Sequence, residues 1–270
     1  DWAGFNGVGI LWRYDGTQWF PISWGFVGEF VSLQSIAGFG PSNIYAIGKK
    51  ENNAFVLHFD GNVWRGQTLT ENGIPGTTLL SIRGDSPSNI WTGGIYNSVY
   101  HFDGSQWNKI HVNEKLWFKD FAISNGKTYA LAYTVDQQPF DTTRWYFLGW
   151  NNAQWDTIST FVEVIGQGPD ELFGKNSLTA IGNEVYSADP GVFKRIADSW
   201  IKVFADRDVA KVFGATTDNI FGVGTYGRFI IITAQIGTSL HNLNSINMIF
   251  GLAGLTGERC SLSDTISTSL

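Results

Sequence analysis

Five tryptophans, Trp19, Trp64, Trp107, Trp155 and Trp200, recur at intervals of 45, 43, 48 and 45 residues. The first three close near-identical frames: Tyr14-Asp15-Gly16-Thr17-Gln18-Trp19, Phe59-Asp60-Gly61-Asn62-Val63-Trp64 and Phe102-Asp103-Gly104-Ser105-Gln106-Trp107. A fixed period of this size means that each copy is one supersecondary unit that cannot bury its apolar face alone, and a period near 45 is that of a four-stranded propeller blade. The expected fold is therefore all-β, a six-bladed β-propeller of four-stranded antiparallel blades.

The unit is clearest in the third copy. Leu79 to Gly84 is a first strand and Asp85-Ser86-Pro87-Ser88-Asn89 a turn rich in backbone-bending residues. Ile90 to Gly94 is a second strand, Ser98 to Phe102 a third, and Trp107 to Ile110 a fourth. The second copy follows the same order through Ser35 to Gly38, Pro41 to Gly48 and Val56 to Gly61. In the fourth copy, opened by Phe121-Ala122-Ile123 and Thr128 to Leu131, Asn151-Asn152 replaces Asp-Gly. The fifth is expected to contain Val164-Ile165-Gly166 with Pro169 to Phe173, then an irregular stretch before Ser199-Trp200-Ile201. The sixth reads Val212-Phe213-Gly214, then Asp218 to Gly224, then Phe229 to Ile232.

The two ends complete one another. Trp2-Ala3-Gly4-Phe5 matches a second strand, and Met248-Ile249-Phe250-Gly251 matches a first strand, so the closing blade is expected to be shared between the termini, which removes free sheet edges. Residues 1–254 are read as a single propeller domain and 255–270 as a tail packed on or beside it. Seven blades is the alternative if residues 161–198 conceal another unit.

Composition narrows the function classes. The net charge is −6 and no basic run exceeds Lys49-Lys50, so the clustered positive footprint that nucleic acid demands is missing. No stretch approaches the ~18 apolar residues of a membrane-spanning helix. Cys260 is the single cysteine, which excludes an intrachain disulfide. The chain begins Asp1-Trp2 and is read as a processed or trimmed product. It carries no Asn-x-Ser/Thr sequon, which leans towards a prokaryotic source. The expected location is extracellular, periplasmic or at the cell surface.

The repeated residues are read as structural. Asp can accept hydrogen bonds from nearby backbone N–H groups and Gly takes a positive φ without steric cost, a pairing suited to hairpins. The Trp three residues after Gly starts the next strand and packs between blades. His58 and His101 share one repeat position but point outward from different blades, so they are strand-face residues rather than joint metal ligands. His111 and His241 have no partner at ligand spacing. No metal and no cofactor is expected.

The pattern Pro-Ser-Asn-Ile-Tyr/Trp followed by His-Phe-Asp-Gly-x-x-Trp resembles repeats of many secreted bacterial β-propellers. It also resembles a degenerate Asp-box, the hairpin of sialidase-type propellers, without that box's Ser and with Asp placed directly before Gly. The resemblance covers residues 1 to about 254 and implies a fold rather than an activity. Sialidases need three converging arginines. Arg13, Arg83, Arg144, Arg195, Arg207 and Arg228 could supply three, but no spacing singles them out.

In a four-stranded blade the 1–2 and 3–4 turns share one face of the disc, and the 2–3 loops and blade connections share the other. The uniform turns here are of the first kind and the variable segments of the second, so binding is expected on the variable face. Its candidate residues are Trp24, Glu29, Tyr96, Trp117, Arg144, Asp206, Arg207, Tyr226 and Arg228, aromatic rings beside charged groups, suited to a carbohydrate or a protein ligand. Trp24 and Trp117 could equally plug gaps between blades. Three readings compete. The first is a non-catalytic binding module. The second is a glycan-active enzyme using carboxylates among Glu29, Glu71, Glu114, Asp136, Asp206 and Asp208, about 5 to 10 Å apart. The third is a structural subunit.

Overall fold

A computed structural model of the chain describes residues 11–22, 30–69, 77–112, 115–135, 142–164, 172–205, 208–217, 219–224 and 229–232. They form six antiparallel sheets in chain order, each a simple meander. The first is a hairpin of β1 (Leu11–Tyr14) and β2 (Trp19–Ile22). The second holds β3 (Val31–Gly38), β4 (Ile44–Lys50), β5 (Asn53–Phe59) and β6 (Trp64–Leu69). The third holds β7 (Leu79–Ser86), β8 (Asn89–Gly94), β9 (Val99–Phe102) and β10 (Trp107–Lys109). The fourth holds β11 (Trp117–Ser124), β12 (Lys127–Val135), β13 (Thr142–Trp150) and β14 (Trp155–Val164). The fifth holds β15 (Ser177–Ile181), β16 (Glu184–Ala188), β17 (Val192–Ile196) and β18 (Ser199–Phe204), and the sixth β19 (Val209–Thr216), β20 (Asn219–Gly224) and β21 (Phe229–Ile232).

The first strands β3, β7, β11, β15 and β19 pack side by side in succession, so the sheets radiate from a shared axis as propeller blades. The middle strands are buried on both faces because each blade is covered by its neighbours: four consecutive residues in β4 and in β5 are buried, whereas three of the six residues of β6 are exposed. The core is a series of apolar layers between blades. Tyr45, Ile47, Leu79 and Ile82 fill one, Trp91, Phe118 and Phe121 the next, and Phe147, Phe173 and Leu178 a third.

The hairpin frame behaves as its chemistry requires. Asp103 Oδ1 accepts the backbone N–H of Ser105 at 2.8 Å and of Gln106 at 3.0 Å, and Gly104 takes φ +96°. Asp15 and Asp60 repeat these bonds. Asn151 reproduces them with its amide oxygen on Ala153 and Gln154, while Asn152 adopts φ +73° where the first three copies have Gly. In three of the five copies the closing tryptophan reaches the preceding blade: Trp107 meets Tyr45 edge-on at 6.2 Å, Trp155 meets Trp91 at 5.3 Å, and Trp200 meets Phe147 at 5.0 Å.

The fifth blade differs from its expected layout. Its first strand is Ser177–Ile181, not the segment near Val164, which ends β14. Phe173 is fully buried between blades but lies outside any strand. The stretch expected to be irregular holds the hairpin β15–β16, which turns at Gly182-Asn183, and then β17. Where a seventh unit would sit, the described residues contain one four-stranded sheet. The segments expected to form a shared closing blade, Trp2 to Phe5 and Met248 to Gly251, and the expected tail 255–270 lie outside the described residues.

Candidate functional site

Antiparallel meanders put the 2–3 loops and the blade entries on one face. In the third blade that loop is a two-residue turn. Ser98 N–H donates to Ile95 O at 3.2 Å, and Tyr96 and Asn97 at its centre have φ +56° and +58°. Two left-handed residues in succession match the twist of the flanking strands. Asn suits this conformation, whereas for a bulky residue such as Tyr96 it is strained. The turn is held by the entry to the next blade: Asn97 N–H donates to Leu116 O at 3.0 Å, and Leu116 N–H donates to Asn97 Oδ1 at 2.6 Å.

This clamp brings Tyr96 onto Trp117, with ring centroids 5.7 Å apart at 67°. The contact continues across the fourth blade. Trp117 lies opposite Tyr133, and Tyr133 opposite Trp145, so all three project from one face of the sheet. Centroids are 5.4 Å apart for Trp117 and Tyr133 and 4.7 Å for Tyr133 and Trp145. Tyr96 at the head of this ladder is 51% exposed, while the other three rings are half-buried. At its far end Trp145 Nε1–H donates to Glu163 Oε2 at 2.9 Å, and Lys175 Nζ contacts Glu163 Oε1 at 2.5 Å. Burial pushes the Glu163 carboxyl up, but the hydrogen bonds from Lys175 and Trp145 outweigh it and hold the group below its ordinary value. Burial raises the Tyr133 phenol, which therefore stays protonated and able to donate.

Of the residues expected to bind, Tyr96 and Trp117 come together. Arg144 does not join them: it precedes Trp145 in β13, so strand alternation sends it to the other face of the sheet, where it is exposed. Trp24, Glu29, Asp206, Arg207, Tyr226 and Arg228 lie outside the described residues, as do Glu71, Glu114 and Asp136. Sequence reasoning missed Tyr133, Trp145, Glu163 and Lys175, whose proximity depends on cross-strand register.

On the opposite face, a cleft of about 810 Å³ runs beneath the third to fifth blades, lined by Trp91, His101, Trp150, Asn151, Arg195 and Asp198 among others. His58 and His101 do not converge. Each stacks on an aromatic ring of its own blade, His58 on Tyr45 at 4.2 Å and His101 on Trp91 at 4.4 Å. Arg83 and Arg195 are likewise engaged separately, Arg83 with Asp120 and Arg195 over the rings of Tyr129 and Phe147.

The chain is an all-β propeller with an aromatic ladder on its variable-loop face. No protein-family model matches it, and neither does any curated protein in the comparison. Solved structures do resemble it. A proposed gluconolactonase is 10% identical with a TM-score of 0.50, over 80% of this chain and 78% of that one. YCF48 bound to D1 peptide is 12% identical, TM-score 0.40, over 78% and 81%. PorZ, a surface component of the type-IX secretion system of Porphyromonas gingivalis, is 12% identical, TM-score 0.41, over 82% of this chain and 43% of that one. Likeness at this level of identity concerns the fold, and one fold hosts many chemistries. Among the described residues no helix is long and apolar enough to cross a membrane.

Proposed function

We propose that the protein is a non-catalytic binding module, acting outside the cytoplasm, that takes a glycan chain along the ladder from Tyr96 to Trp145. The observation that carries this reading is the ladder itself: consecutive ring contacts from a half-exposed Tyr96 to a carboxylate–ammonium pair. Aromatic faces stack on the apolar faces of sugars, and a charged pair at one end can orient hydroxyl groups. Tyr96 sits in a strained backbone conformation held by the Asn97–Leu116 hydrogen bonds, and such strain collects at binding sites. In the same reading residues 1–254 form one closed ring of six blades, with 255–270 beside it.

A glycan array with the purified protein and a Tyr96→Ala, Trp117→Ala double variant tests this. Saturable binding by the parent, weakened at least about tenfold in a variant that keeps its thermal unfolding profile, is the expected result. A silent array with folded protein removes the glycan reading and directs the same variant to a crosslinking search for a protein partner.

A further inference from the structure

A second site lies on the propeller axis. A cavity of about 170 Å³ is lined from consecutive first strands: Gln34 and Ser35 of β3, Ser81 and Arg83 of β7, Lys119 and Asp120 of β11, Asn176 just before β15, and Lys211 of β19. Three of these side chains are cationic and one is anionic, in a protein whose net charge is −6.

The anionic member is fully occupied. Asp120 is 3% exposed; its Oδ1 accepts the Ser81 hydroxyl and the Phe121 N–H at 3.0 Å, and its Oδ2 accepts Arg83 Nη2 at 3.2 Å and the Leu178 N–H at 2.9 Å. Four donors use all the acceptor positions a carboxylate offers. Arg83 is thereby consumed in an ion pair, and Lys119 and Lys211 are left facing the cavity with no lone pair of Asp120 for either. Burial first, and then the neighbouring Lys211, pull the Lys119 ammonium below its ordinary value, against the opposing fields of Asp120 and Asp189. Two ammonium groups crowded this way are relieved by an anion between them.

The geometry points to a small oxyanion, a phosphate or a carboxylate, bound on the axis by Lys119 and Lys211, with Asn176, Gln34 and Ser35 supplying neutral polar contacts. The volume suits this size of ligand, since a water occupies roughly 30 Å³ of liquid and the cavity holds roughly five. None of its lining residues belongs to the ladder, so the two sites are independent.

The test is calorimetric titration of the whole protein with inorganic phosphate and, separately, with succinate, at constant ionic strength set with chloride. The variants are Lys119→Met, Lys211→Met and, as a surface control, Lys115→Met. Lys211 is exposed, so its substitution leaves the fold intact, and circular dichroism checks each protein. Saturable binding of phosphate, weakened about tenfold by either cavity substitution and unchanged in Lys115→Met, is the expected result. Saturable succinate binding with phosphate silent, and the same variant pattern, assigns the carboxylate. Absence of saturable binding by either anion, or binding that survives both cavity substitutions, overturns the proposal.

Discussion

His101 lies against Trp91, its direct cross-strand partner, and both rings meet the same oxygen: Asn89 Oδ1 accepts the indole Nε1–H at 3.1 Å and lies 3.0 Å from His101 Nε2. The Asn89 amide nitrogen donates to Asp85 at 2.9 Å, which fixes that oxygen towards the rings and makes His101 Nε2 the protonated nitrogen. A neutral ring with its proton on Nε2 is thus built into the blade. In the neighbouring copy His58 stacks on Tyr45 in the same way, but its Nε2 has no hydrogen-bond partner among the described residues.

Burial lowers the pKa of His101, and the field of Asp103 opposes this without overcoming it. Its NMR titration midpoint is expected below the ordinary value of about 6.5. Because the folded pKa is depressed, the stability tied to the neutral ring is fully present above about 6.5 and is lost as pH falls through the folded value. Urea midpoints at pH 7.5 and pH 5 should therefore differ more for the parent than for His101→Gln. Equal differences would refute the linkage.

The Asp15 carboxyl is held down to about 2, first by the Thr17 hydroxyl and then by the N–H groups of Gln18 and Thr17. Its contribution is present above the unfolded value of about 3.9 and is lost as pH falls towards 2. Asn151 makes the equivalent backbone bonds without a titrating group. Asp15→Asn should accordingly retain the hairpin at neutral pH and flatten the acid limb of the stability profile, followed by circular dichroism between pH 5 and pH 2.

Asn97 serves the Tyr96 turn twice, through its φ of +58° and through Oδ1 on the Leu116 N–H. Asn97→Gly loses only the side-chain bond, at a cost of about 1 kcal/mol. Asn97→Ala loses the bond and strains the backbone, and should be destabilised by about 1 kcal/mol more. Chemical denaturation separates them; indistinguishable midpoints would show that the turn is not constrained as described.

At Gly94 a Cβ would fall 1.8 Å from Thr78 O and 2.8 Å from Leu79 Cα, and Gly48 meets Ser32 O in the same way at 1.9 Å. Both glycines lie where the second strand presses on the start of the first. Gly94→Ala must displace backbone, so a loss of about 2 to 3 kcal/mol is expected. Gly126, with φ +69° and open space around it, is the control. Gly126→Ala pays only for its conformation, about 1 kcal/mol. The two can be ranked by urea unfolding.

Blades were legible in the sequence wherever turn chemistry and the closing Trp survived together. Asp103-Gly104 and Trp107 mark a hairpin because each supplies a separate physical need. In the fifth blade Ile196 and Ala197 stand at the Asp and Gly positions, and Ala197 adopts φ +52° although its type disfavours it. The tertiary context imposes that turn, so no local signal announces it, and only Trp200 marks the hairpin; the first strand, expected on Val164-Ile165-Gly166, lies at Ser177–Ile181. The ladder was half legible for a different reason. Tyr96 and Trp117 lie on segments that vary between copies, whereas Tyr133 and Trp145 join them only through the register of β11, β12 and β13.

Asp120 has a mechanical consequence for the ring. Stacked repeats that touch only their neighbours can fray one at a time. Here one buried carboxylate takes donors from Ser81 and Arg83 in the third blade and from Leu178 in the fifth while belonging to the fourth. Releasing the third sheet strips this buried charge of its Arg83 partner, and releasing the fifth leaves one of its lone pairs unmet, so the strands from β7 to β18 should exchange their slowest amide protons as one cooperative block.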